Sequence, residues 1–181
     1  MKELDELFLG LTSVNGFEGV YSLGNSNIEN GNNPIIAVHP YFATDYWHDT
    51  DTKFPLSYPR TFDELFRDHE GAIITLEDEV NFGKTLERCF SLGRTRDRFI
   101  LATPIHDPDP LIGWMKFMKF ILLFEQPVSL AGGYLHGSYS CPGCLGRVAQ
   151  HLRKNNIDFR FLLNLIYPVY REEYEEELKE A

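Results

Sequence analysis

The chain is expected to fold as α/β: a single three-layer domain with a mostly parallel sheet of about five strands and helices on both faces, Rossmann-like in plan. Three observations point there. Short, continuous apolar runs recur, as in "PIIAV", "GAIITL", "RFILAT", "PVSLAGG" and "FRFLLNLIY". Runs without polar alternation read as strands buried on both faces, which favours parallel pairing. Segments of helical character separate them, and 181 residues with no internal repeat suit one domain, 1–181, with a full core.

Residues 1–12 set Leu4, Leu7, Phe8 and Leu11 on one helical face. The Asn/Gly-rich segment 13–33 carries Asn15-Gly16 and Asn30-Gly31, turn signals that fit either a short hairpin or a loop. "PIIAVHPYF" is the first buried strand. After the loop "ATDYWHDTDTKFPLSYPR", Thr61 and Glu64 have capping-box spacing, and Phe62, Leu65 and Phe66 form the buried face of a helix. "GAIITL" is the second strand, and "KTLERCFSL" is a helix stopped by Gly93. "RFILAT" is the third strand, followed by a buried helix "LIGWMKFMKFILLFEQ" that Pro127 ends. "PVSLAGG" is the fourth strand. "CLGRVAQHLRKNN" is a helix burying Leu145, Val148, Ala149 and Leu152, and "FRFLLNLIY" is the fifth strand. Pro168 suits the first turn of a last, acidic helix, 168–181. Strand order is not legible at this stage.

The net charge of −10 argues against a non-specific nucleic-acid or anionic-membrane binder, because both need positive charge to meet phosphate. Arg88, Arg94, Arg96 and Arg98 form a local basic cluster, for which pairing with surface carboxylates is the plainer reading. Three cysteines, Cys89, Cys141 and Cys144, are too few and odd in number for a disulfide framework. "WMKFMKFILLF" is broken by lysines and falls short of a membrane span. A cytoplasmic protein is expected, with no membrane and no nucleic acid among its partners.

In an open parallel sheet, ligands bind at the carboxyl ends of the strands. His39 ends the first strand, and Glu77 and Asp78 end the second. His106 and Asp107 follow the third, while Gly132, Gly133 and His136 follow the fourth. Histidine titrates near neutral pH and ligates metals, so acid–base or metal chemistry belongs at this edge. One metal set is His39, His106, Asp107 and His136, which suits a divalent metal such as zinc, manganese or iron. A second is His136, Cys141, Cys144 and His151, with the Cys-x-x-Cys spacing of zinc sites.

The alternative is a thiol nucleophile. Cys144 falls near the start of a helix, where free backbone N–H groups and the helix dipole favour a thiolate and can form an oxyanion hole. His136 or His106 would take the proton. His39, Asp45, Asp107, Gly132 and Gly133 would contact substrate. Gly132-Gly133 could also let backbone approach a phosphate, although a turn that needs glycine dihedrals explains the pair more simply. The loop "TDYWHDTD" offers Asp45, His48, Asp49 and Asp51 to a cation or polar ligand, or is a surface loop pinned by Tyr46 and Trp47.

The glycine-containing turn and "CLGRVA" at a helix start resemble the cysteine region of the isochorismatase-like hydrolases, over roughly residues 127–166. The resemblance implies an α/β sheet with Cys144 as nucleophile beside an oxyanion hole. The family's aspartate and lysine have no counterparts: the first strand ends in His39-Pro40, and "PIHDPDP" follows the third. Two functions follow. One is a hydrolase-type enzyme acting on a small molecule, through a cysteine nucleophile or a bound metal. The other is a non-catalytic α/β domain that binds a ligand or a protein.

Overall fold

The computed structural model describes residues 11–13, 20–23, 34–40, 58–77, 99–102, 114–135 and 143–168, together with 83, 85, 87, 88 and 91. The elements in chain order are β1 (Leu11–Ser13), β2 (Val20–Leu23), β3 (Ile35–Val38), α1 (Tyr58–Asp68), β4 (Ile73–Leu76), β5 (Phe99–Ala102), α2 (Trp114–Ile121), β6 (Val128–Leu135), α3 (Gly143–Lys154) and β7 (Phe159–Pro168). Gly83, Thr85, Glu87, Arg88 and Ser91 are helical and lie between β4 and β5.

All seven strands form one sheet in the order β1-β2-β5-β4-β3-β6-β7. Parallel pairings join β5 to β4, β4 to β3, β3 to β6 and β6 to β7. From β3 the chain steps outward to β4 and β5. It then returns across the sheet to β6 and continues outward to β7. The direction of winding therefore reverses between β3 and β6. At such a reversal the loops after the two neighbouring strands part, leaving a crevice at their carboxyl ends.

The apolar runs form strands because both faces are covered. Every residue of β3 and β4 is buried. On one face, Ile36, Val38, Ile74, Leu76, Val128 and Leu130 pack with Phe117, Phe120 and Ile121 of α2 and with Leu145, Val148 and Leu152 of α3. Each fully buried aliphatic or aromatic side chain contributes roughly 1.5–3 kcal/mol. Ile35, Ala37, Ile73 and Ala131, which alternate with these along their strands, are also buried, as is Phe62 of α1. Among the described residues, no helix is long and apolar enough to cross a membrane.

Several expectations change. The sheet has seven strands rather than about five, because β1 and β2 form an antiparallel hairpin that adds to β5. Leu11 and Thr12 belong to that hairpin and not to an N-terminal helix. Helix α1 starts at Tyr58, so Thr61 lies inside it and is not its cap. The chain had a better start available there: Pro59 is pre-set for a first turn. Helix α2 stops at Ile121, five residues short of Gln126, and leaves Leu122 and Leu123 exposed in a turn. Pro168 closes β7 and does not open a helix. Strand β7 is an edge strand, which tolerates proline. The remainder of the predicted N-terminal and C-terminal helices lies outside the described residues.

Candidate active site

The site grows out of the register between β3 and β4. These strands pair from Ile35↔Ile73 to Val38↔Leu76, so the residues that follow them, His39 and Glu77, emerge side by side. The His39 backbone N–H donates to the Leu76 carbonyl at 2.9 Å, which extends the ladder by one bond. His39 then turns the chain at φ 46°. A left-handed conformation is uncommon for a side chain of this size, costs about 1–3 kcal/mol, and clusters at functional sites.

Both side chains are removed from water: His39 is 1% exposed and Glu77 0%. His39 Nδ1 lies 2.8 Å from Glu77 Oε2. The other carboxylate oxygen, Oε1, accepts from the Thr85 hydroxyl at 2.5 Å, and Thr85 is itself buried. Glu77 is thus held at both oxygens. His39 also shares a hydrogen bond with the Cys144 side chain. Burial lowers the pKa of His39. The hydrogen bonds to Cys144 and Glu77, and the charges those groups carry, outweigh it and raise the pKa from 6.5 to about 10. Both partners thus favour the protonated form of the ring over the neutral one.

Cys144 is the second residue of α3 and a free thiol, buried where the helix meets the sheet. Leu145, Val148 and Leu152 seat this helix, and Gly143 precedes the cysteine at φ 68°, a conformation suited to glycine. Backbone N–H groups in a first helical turn have no partners within the helix itself.

Gly132 allows β6 to close on β3 at this level. It pairs with Val38, the residue before His39, and has φ 106°. A Cβ at this position would lie 1.9 Å from the Val38 carbonyl oxygen. Gly132 and Gly133 are both buried within β6, which runs two residues further than "PVSLAGG". Strand geometry and close approach explain Gly132 without a phosphate.

Of the sequence-derived candidates, His39 and Cys144 are brought together, with His39 joined to the sulfur and to a carboxylate. Asp45, His106, Asp107 and His136 lie outside the described residues, as do Cys89 and Cys141. In the set of His136, Cys141, Cys144 and His151, the two described members, Cys144 and His151, lie far apart along one helix. His151 is seven residues along α3 from Cys144, roughly 10 Å of helix rise, whereas zinc ligands sit about 2.0–2.3 Å from the metal. His151 instead stacks on Trp114, with centroids 4.0 Å apart and planes at 8°. Burial, then Lys154 and Arg147, lower its pKa. Among the described residues, no group of three or more His, Cys, Asp or Glu side chains could hold a metal ion. Arg88 is engaged in a two-pronged ion pair with Asp63 of α1, in line with the plainer reading of the basic cluster.

Sequence reasoning placed Glu77 at a strand end but gave it no role, and it missed Thr85. The signal for Glu77 was present: "IIAVH" and "IITLE" are two apolar runs of equal length, each ending in a polar residue. Adjacent and in register, they must deliver His39 beside Glu77.

Comparison with protein-family models, curated proteins and solved structures gave no match. The functional reading therefore rests on the site itself.

Proposed function

We propose that the protein is a cysteine-dependent hydrolase of small acyl compounds, with Cys144 as nucleophile, His39 as general acid and base, and Glu77 as the group that orients and charges His39. The observation that carries this reading is the buried His39 joined at once to Glu77 and to a thiol at a helix start. An imidazolium beside sulfur favours thiolate over thiol, and the thiolate is the nucleophile. The sulfur attacks a carbonyl carbon, and the resulting oxyanion is met by backbone N–H groups at the start of α3. His39 gives its proton to the leaving group and becomes neutral. It then takes a proton from water as that water attacks the thioester, which restores both the thiolate and the imidazolium.

These partners differ from the aspartate and lysine that serve the cysteine in isochorismatase-like hydrolases, so any relation to that family would be one of layout. The three-layer, Rossmann-like description is supported by the coverage of both sheet faces and by the reversal of winding at β3 and β6. A free Cys144 suits the reducing cytoplasm. A metal held by His39, His106, Asp107 and His136 is the second reading; in it His39 would have to leave the Glu77 carboxylate that now holds its Nδ1 or bind through its other nitrogen.

Incubation with p-nitrophenyl acetate, acid quench and peptide mass mapping tests this directly. The expected result is an acetyl thioester on Cys144 with a burst of p-nitrophenol, both absent in Cys144→Ser. Acetylation confined to other residues, with no burst, refutes the proposal.

A further inference from the structure

We propose that Thr85 is a positioning residue of this site, fixing the Glu77 carboxylate so that its Oε2 stays on His39; this rests on the catalytic reading above. The Thr85 hydroxyl donates to Oε1 at 2.5 Å, and neither residue is exposed beyond 1%. Both groups are shielded from bulk solvent. A carboxylate has two equivalent oxygens, and a bond to each fixes its plane more firmly than a bond to one alone. With Oε1 tied to Thr85, the remaining oxygen is left aimed at Nδ1, 2.8 Å away. Without that tie, Oε1 would be a buried, unpaired acceptor, and the carboxylate would turn to share one oxygen between needs.

Thr85 can act as an anchor because its own helix is tethered. Arg88, three residues on and hence on the same side of the helix, grips Asp63 of α1 through two nitrogens. The order of support is α1, Arg88, Thr85, Glu77, His39 and Cys144, in which only the last two reach a substrate.

Thr85→Val removes the hydroxyl at constant shape, and Thr85→Ser keeps it. The midpoint of the His39 ring titration, read by NMR, should fall by about one pH unit in Thr85→Val, and iodoacetamide labelling of Cys144 at pH 7 should slow about tenfold. Thr85→Ser should stay within about twofold of the unaltered protein in labelling and keep its titration midpoint. A Thr85→Val protein with an unchanged His39 midpoint overturns the proposal, as does Thr85→Ser behaving like Thr85→Val. The unaltered protein supplies a test independent of either variant's folding. Its Thr85 hydroxyl proton should be protected from exchange and shifted downfield, and a rapidly exchanging one overturns the assignment. The His39 titration needs no turnover, so a failed acylation test with the Thr85 effects intact would discard the activity and keep the positioning role.

Discussion

Replacing Glu77 by Gln keeps the side chain's shape and removes the charge that faces His39. The loss follows from burial. An exposed ion pair contributes about 0–1 kcal/mol, but this one is sealed, at 1% and 0% exposure, with a 2.8 Å contact. Removing one partner of such a pair strands the other, at about 3–5 kcal/mol. The sign with pH follows from His39. Its folded pKa, about 10, stands above the unfolded value of 6.5. Folding therefore takes up a proton, and the stabilisation is complete below pH 6.5 and fades as pH rises through about 10. Urea unfolding of both proteins at pH 6, 8 and 10.5 reads this out. Glu77→Gln should be weaker by about 3–5 kcal/mol at pH 6, and by no more than about 1.5–3 kcal/mol, one hydrogen bond from the neutral ring to a carboxylate, at pH 10.5. A deficit under about 1 kcal/mol at pH 6, or one that does not change with pH, would refute the buried-pair account.

Two further outcomes probe the scaffold. Gly132→Ala places a methyl 1.9 Å from the Val38 carbonyl at φ 106°, so β6 must draw back from β3. Strain alone costs about 1–3 kcal/mol, and urea unfolding should show at least that, together with slower Cys144 labelling; a neutral substitution would contradict the close approach. Trp114→Ala uncovers the ring stacked on it, so the His151 pKa, held down mainly by burial, should rise toward its ordinary value of 6.5 in an NMR titration. An unmoved His151 would show that Trp114 does not provide that cover.

The parallel strands were legible because burial on both faces leaves a plain mark: uninterrupted apolar runs such as "IIAV" and "IITL". The helix at Cys144 was legible through its buried stripe, Leu145, Val148, Ala149 and Leu152, all of which face the core. Helix ends were less so. Tyr58-Pro59 starts α1 ahead of a plausible cap at Thr61, since local capping signals compete and packing chooses among them. The edge hairpin β1–β2 has strands of 3 and 4 residues, too short for a periodic signal. Cys144 could be nominated from its helix start, and His39 from its strand end. Their meeting could not be, because it depends on β3 lying between β4 and β6. Thr85 left no trace in the sequence, since its role is set by where a helix packs.

The claim beneath all of this is that His39 is held as a cation between Glu77 and Cys144. An NMR titration of the His39 ring in the unaltered protein measures that most directly. The ring should remain protonated through neutral pH, with a midpoint near about 10. A midpoint at or below the ordinary 6.5 would contradict the account, because a buried histidine without anionic partners is pushed down, not up.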